Sequence, residues 1–81
     1  LIERLRRQVL ALGYARTAYK IAPANAMVTQ VYGQLELKSG KRPKAAVELL
    51  QKASAMMPDN AEVAAQLKRA RAAYYGSAMR Q

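Results

Sequence analysis

The stretch from Ala26 to Asn60 reads AMVTQVYGQLELKSGKRPKAAVELLQKASAMMPDN and has the pattern of one complete helical hairpin. Gly40 and the turn Lys41–Pro43 separate two segments in which apolar residues recur at helical spacing. Glycine is favoured just after a helix, and proline is favoured in the first turn of the next helix. The sequence therefore predicts two helices joined by a short turn.

The edges of this hairpin repeat along the chain. Residues 21–28, IAPANAMV, return as residues 57–63, MPDNAEV, with Pro23 aligned to Pro58 and thus a period of 35 residues. The same shift places Ala18 on Ala53 within the helices. A period of this length is typical of helix pairs that stack on one another.

At these positions the chain resembles the tetratricopeptide repeat (TPR) family, whose helix-turn-helix units stack into superhelices and usually bind other proteins. The resemblance is carried by Tyr32, Gly33, Gly40, Ala46, Leu50, Ala53 and Pro58. The chain departs from the family pattern at Thr29, where a large aromatic residue is usual, and at Glu36, where a tyrosine is common. The resemblance implies an all-α fold of antiparallel helix pairs, stacked as a TPR-like α-solenoid of about four helices.

The first two predicted helices cover residues 2 to about 21 and 25 to 39. Pro23 stops the first of them, because a proline inside a helix removes a hydrogen bond and clashes with the preceding turn. Asn25 can cap the second helix through its side-chain oxygen. We expect this second helix to face inward with Val28, Val31, Tyr32 and Leu35, while Gly33 lets a neighbouring helix approach closely.

The third predicted helix begins at Pro43 and ends before Pro58, and Asp59 or Asn60 caps a fourth. Gly76 and Ser77 suggest fraying beyond Tyr75, although Ala78, Met79 and Arg80 could continue the helix. The expected inward residues of the third helix are Ala46, Val47, Leu50, Ala53 and Met57, and those of the fourth are Val63, Leu67, Ala70 and Tyr74. At helical spacing, tyrosines usually pack into the core with the hydroxyl at its boundary, and we expect this for most of them.

The length of 81 residues allows one small domain, covering residues 1–81. The chain begins with leucine and enters part-way through a repeat, so we expect a fragment of a longer repeat protein. The TPR resemblance and the alanine-rich composition suggest a bacterial parent protein. Cytoplasmic and periplasmic locations both stay open, because the lack of cysteine is compatible with either. No apolar run reaches the ~18 residues of a membrane span.

Few residues of the chain could catalyse a reaction or bind a metal ion. The chain has neither histidine nor cysteine, the commonest general base and the commonest thiol nucleophile, and its five carboxylates are scattered singly. The sequence therefore predicts no catalysis, no metal site and no cofactor. The TPR resemblance implies a protein-interaction scaffold instead.

In TPR proteins the partner lies in a concave groove lined by the first helix of each pair. By this resemblance the groove presents Met27, Gln30, Gln34, Leu37 and Lys38, followed by Glu62, Ala65, Arg69 and Ala72. Two amides can hydrogen-bond an extended backbone, and the cations can pair with an acidic side chain. We expect the partner to be a peptide or helix of another protein.

Two alternatives remain open. The formal net charge of +9 could attract nucleic acid, although the basic residues fall into three groups that form no single stripe. Self-association is the other alternative, because repeat arrays generally need about three units and exposed repeat edges would otherwise stay uncovered.

Overall fold

Four α-helices follow one another along the chain in the computed structural model, which describes the backbone of residues 2–79 and the side chains of residues 2–76. The helices are α1 (Ile2–Ile21), α2 (Ala26–Ser39), α3 (Pro43–Met56) and α4 (Ala61–Met79). The described residues form no β-strand. The prediction of an all-helical chain with about four helices is confirmed.

The helix ends lie where glycine, proline and asparagine predicted them. The Asn25 side-chain oxygen accepts a hydrogen bond from the Val28 amide at 3.1 Å, and Asn60 does the same for the Val63 amide at 3.1 Å. These bonds cap α2 and α4, and of the two predicted caps for α4 it is Asn60 that acts. Gly40 ends α2 at φ 69°, a left-handed conformation that suits glycine.

Of the two possibilities for the end of the chain, fraying after Tyr75 or a continuing helix, the structure shows the second, because α4 continues to Met79. Gly76 does not break the helix. A single glycine inside a helix costs only ~1 kcal/mol relative to alanine. Arg80 and Gln81 lie outside the described residues.

Packing is centred on α2, which contacts each of the other three helices, while α3 also contacts α4. One buried cluster joins α3 to α4 through Ala46, Leu50, Leu67 and Ala70, and a second joins α1, α2 and α3 through Ala15, Tyr32 and Leu49. Gly33 makes the predicted close approach possible. A Cβ atom at Gly33 would lie 2.9 Å from Leu50 Cγ and 3.1 Å from Leu49 Cβ.

The predicted inward face of α2 was partly wrong. Tyr32 is buried, but Val31 is exposed and the Val28 and Leu35 side chains are only partly buried. The buried residues of this helix are Thr29, Gln30, Tyr32, Gly33 and Glu36. Because three helices pack around α2, polar and small residues on its other sides are buried as well as the apolar ones.

The predicted faces of α3 and α4 are largely confirmed. Ala46, Leu50 and Ala53 of α3 have no exposed surface, nor have Val63 and Ala70 of α4. The Val47, Met57 and Tyr74 side chains are partly buried, and the buried Leu49 and Gln66 were missed. The tyrosine prediction fails at Tyr14 and Tyr75, which are both exposed.

The first two turns of α1 extend past the end of α2. With a rise of about 1.5 Å per residue, the 20 residues of α1 span about 30 Å and the 14 residues of α2 about 21 Å. The apolar residues near the start of α1 therefore have no helix beside them in the described chain. The side chains of Ile2, Leu5 and Val9 are 75%, 61% and 65% exposed.

Each of the described helices is too short or too polar to cross a lipid bilayer.

Candidate partner-binding surface

A buried pair of glutamines joins α2 to α4. The Gln30 side-chain amide donates a hydrogen bond to Gln66 Oε1 at 3.4 Å, and both residues are buried. Gln66 in turn donates to Glu62 Oε1 at 3.5 Å. Each glutamine lies in the second turn of its helix. The pair therefore holds the corresponding segments of α2 and α4 side by side.

The predicted partner-binding residues divide into accessible and packed ones. Gln30 is buried in the pair with Gln66, and Leu37 packs against the buried cluster of α3 and α4. Both therefore support the contact between α2 and α4; Gln30 presents little surface, and Leu37 is partly buried. The remaining predicted residues are exposed or partly exposed: Met27, Gln34, Lys38, Glu62, Ala65, Arg69 and Ala72.

Helical spacing places the accessible residues along the seam between the two helices. Met27 and Gln34 lie three residues before and four after Gln30, so they share its side of α2. Glu62 and Arg69 lie four before and three after Gln66 on α4. We call the surface formed by Met27, Gln34, Lys38, Glu62 and Arg69 the α2–α4 face. It offers an apolar group, an amide and charges of both signs.

A second polar cluster, which the sequence did not predict, lies between α1 and the start of α3. The Glu36 carboxylate has no exposed surface, and its Oε2 lies 3.4 Å from Arg42 Nη1 and 3.9 Å from Arg16 Nη2. The other oxygen, Oε1, is buried without a hydrogen-bond partner. One carboxylate thus pairs with two guanidinium groups and is itself incompletely satisfied.

Arg16 and two tyrosines extend this cluster along α1. Arg16 Nε donates to Tyr32 Oη at 3.2 Å, and the Tyr32 ring lies 5.5 Å from the Tyr19 ring between centroids. The hydrogen bond to Tyr32 raises the pKa of the Arg16 guanidinium above its usual range, and the nearby Glu36 adds to this. Arginine is not deprotonated in proteins, so Arg16 is a permanent cation in this cluster.

A cleft of about 340 Å³ opens beside the ion cluster. Its walls include Val9 and Leu12 from α1, together with Arg16, Lys41 and Arg42.

One sequence pattern could have indicated this ion cluster. Glu36 follows Thr29, Tyr32 and Gly33 at the seven-, four- and three-residue spacing of a buried helical stripe, so its burial could have been inferred.

Among residues 2–79 no three carboxylate, histidine or cysteine residues come together in a way that could hold a metal ion.

The chain matches no model of a protein family, no curated protein and no solved structure.

Proposed function

We propose that the chain is a TPR-like interaction scaffold that binds a peptide or helix of another protein on the α2–α4 face. The helix pairs would stack as in a short α-solenoid, with α2 and α4 as the first helices of successive units. The protein does no chemistry in this role. Its contribution is a rigid surface on which a partner segment is held.

The observation that carries the proposal is the buried pair between Gln30 and Gln66. The two glutamines lie 36 residues apart, close to the sequence period of 35, and their hydrogen bond joins α2 to α4, which would be the first helices of successive units. A side chain on a helix is more precisely positioned than one on a loop. The accessible residues beside the pair are therefore presented in a defined order.

The chemistry of the α2–α4 face suits a peptide better than a small molecule. Met27 is an adaptable apolar contact, because its thioether side chain can adjust to irregular partners. The Gln34 amide can both donate to and accept from a peptide backbone. Lys38 and Arg69 can pair with acidic side chains, and Glu62 can pair with a basic one.

The test begins with selection of binding peptides from a displayed random library. The affinity of a selected peptide is then measured for the wild type and for a Gln34→Ala/Lys38→Ala double variant. We expect the double variant to bind roughly tenfold more weakly, since it loses a hydrogen bond and a charge. Circular dichroism should show unchanged helicity, because Lys38 is exposed and Gln34 is only partly buried.

A matched control removes the same two residue types elsewhere. Gln51→Ala/Lys68→Ala changes exposed side chains of α3 and α4 that lie outside the α2–α4 face. This control should bind like the wild type. Equal affinity for both double variants would show that the peptide does not bind on the α2–α4 face, and the proposal would be wrong.

A further inference from the structure

Positive charge is concentrated at the start of α3. Lys41 and Arg42 precede this helix, Lys44 is its second residue, and its first turn has no acidic residue. The amino-terminal end of a helix already carries a partial positive charge, so cations there are unfavourable and anions are favoured. The local sequence therefore opposes the helix dipole where most helices support it.

Arg42 occupies the N-cap position of α3 but does not cap it. Its side chain makes no capping hydrogen bond, whereas Asn25 and Asn60 cap α2 and α4. The Arg42 guanidinium is directed to Glu36 instead. A residue that breaks a local rule in this way often marks a functional site.

The ion cluster holds two guanidinium groups side by side with too little negative charge to neutralise them. Glu36 Oε2 lies within 4 Å of both Arg16 and Arg42. The arginine side chains are 43% and 57% exposed, so each keeps N–H groups available to a ligand. Arginine forks bind carboxylates with two parallel hydrogen bonds.

The charges around the cleft leave a positive excess. The cations are Arg16, Lys41, Arg42 and Lys44, and the carboxylates on this side are the buried Glu36 and the exposed Glu48 of α3, which lines a neighbouring cleft with Arg42. An additional anionic group on the exposed side of Arg16 and Arg42 would balance the positive charge of the cluster.

An apolar stripe leads along α1 to this charged end. Leu5, Val9, Leu12 and Arg16 follow one another at spacings of four, three and four residues, which places them on one side of the helix. Val9 lines both the charged cleft and an apolar depression that includes Leu5. The apolar and the charged parts are thus one continuous surface, which we call the α1 cleft: Leu5, Val9, Leu12, Arg16, Lys41 and Arg42.

We propose that the α1 cleft binds an acidic amphipathic helix of a partner protein. The apolar side chains of that helix pack on Leu5 and Val9, and one of its carboxylates accepts hydrogen bonds from the exposed N–H groups of Arg16 and Arg42. This site is separate from the α2–α4 face and does not depend on it.

Charge decides which occupant the surface suits. Arg4, Arg6 and Arg7 flank the apolar stripe, so a second copy of the chain, itself at +9, would bring like charges together. An acidic partner gains from the same residues. A nucleic acid would pair with the cations but would leave the apolar side chains of Leu5 and Val9 exposed.

The test uses a fluorescently labelled model peptide, a helix with leucine on one side and glutamate flanking it. A matched peptide has glutamine in place of each glutamate. In titrations at low ionic strength, followed by fluorescence anisotropy, we expect the acidic peptide to bind at least about tenfold more tightly than the neutral one, because charge-assisted hydrogen bonds are lost with the glutamates.

Variants of the protein locate the binding site. Arg16→Gln should weaken binding of the acidic peptide about tenfold. Because this variant also removes a partner of buried Glu36 and could unfold the chain, Val9→Ser and Lys41→Gln, at exposed positions, provide the same test without that risk. The matched controls, Val31→Ser and Arg71→Gln, also change exposed side chains and should leave the affinity unchanged.

Four results would overturn the proposal. The first is no binding of the acidic peptide, and the second is an equal loss of affinity in Arg71→Gln and Lys41→Gln, which would mean unspecific charge attraction. The third is a dimer in light scattering that Val9→Ser dissociates, since a second copy would then cover the stripe. The fourth is tighter binding of an oligonucleotide that Lys41→Gln weakens and Val9→Ser does not.

Discussion

Gly33 lies where α2 and α3 approach most closely. A methyl group at this position would come within 3.1 Å of Leu49 Cβ and within 2.9 Å of Leu50 Cγ, and the Leu50 side chain is fully buried. Overpacking of this kind typically costs about 1–3 kcal/mol. Alanine gains about 1 kcal/mol over glycine in a helix, so the steric loss is the larger of the two effects.

We therefore expect Gly33→Ala to lower the free energy of unfolding by about 1 kcal/mol, measured by urea denaturation. Gly13→Ala is the matched control. It lies inside α1 with nothing within 4 Å of an added Cβ, and it should raise the free energy of unfolding by about 0.5–1 kcal/mol. The two variants should change the free energy of unfolding in opposite directions. A stabilising Gly33→Ala would contradict the close packing of α2 on α3.

Glu36 is expected to lower the stability of the fold. Its two partners are half exposed, and such ion pairs contribute only about 0–1 kcal/mol each. Against this, a buried oxygen without a hydrogen bond costs about 1–3 kcal/mol. The unpaired oxygen is the larger effect, and an apolar side chain of similar size would avoid it.

Replacing Glu36 with methionine should consequently raise the free energy of unfolding, by about 1 kcal/mol. Thermal and urea denaturation would both report it. Glu48→Met provides the comparison, because Glu48 is exposed and its replacement should change stability by less than about 0.5 kcal/mol. A marked loss of stability in Glu36→Met that Glu48→Met does not share would show that the ion cluster stabilises the fold. The expected destabilising effect of Glu36 would then no longer support a role of the cluster in partner binding.

The first turn of α2 is held by a local signal, the Asn25 cap. Asn25 satisfies one free amide of the first turn, and the neighbouring α1 ends four residues earlier at Ile21. Since α2 contacts all three other helices, fraying of its first turn affects the whole packing.

The expected effect of Asn25→Ala is a loss of about 1 kcal/mol in the free energy of unfolding, the usual contribution of an N-cap. Asn25→Asp keeps an acceptor in place and should be close to the wild type in stability. Hydrogen exchange of the Val28 amide, measured by NMR, should accelerate in the alanine variant. If alanine and aspartate variants were equally stable, the capping bond would not contribute.

The ends of the helices were predictable because their signals are local. Pro23, Gly40, Pro43 and Asn60 act on their own turn of backbone, whatever packs nearby. The buried faces were less predictable, because they depend on how many helices surround an element. Val31 shows this well: its residue type suits a core, yet its side chain is 42% exposed.

The two candidate surfaces also differ in how far the sequence predicted them. Repeat alignment indicated the residues of the α2–α4 face, but it did not indicate that the Gln30 side chain would be hydrogen-bonded to Gln66. The α1 cleft could not be read from the sequence, because Arg16, Glu36 and Arg42 come from three separate segments. Only the packing of α1 and the α2–α3 turn against each other brings these charges together.

Across the whole chain, the excess of basic over acidic residues acts on both surfaces at once. A net charge of +9 accelerates encounters with any acidic partner and discourages contact between copies. It does not distinguish the α2–α4 face from the α1 cleft. That distinction needs a measurement that reports where a partner binds, residue by residue.

The most direct measurement is amide chemical-shift mapping by NMR during titration with a library-selected peptide. Binding on the α2–α4 face predicts that the largest shift changes occur at Met27, Gln34, Lys38, Glu62 and Arg69, with little change along the exposed sides of α1 and α3. Changes centred on Val9, Arg16 and Lys41, with residues 27–38 unaffected, would contradict the proposed scaffold surface.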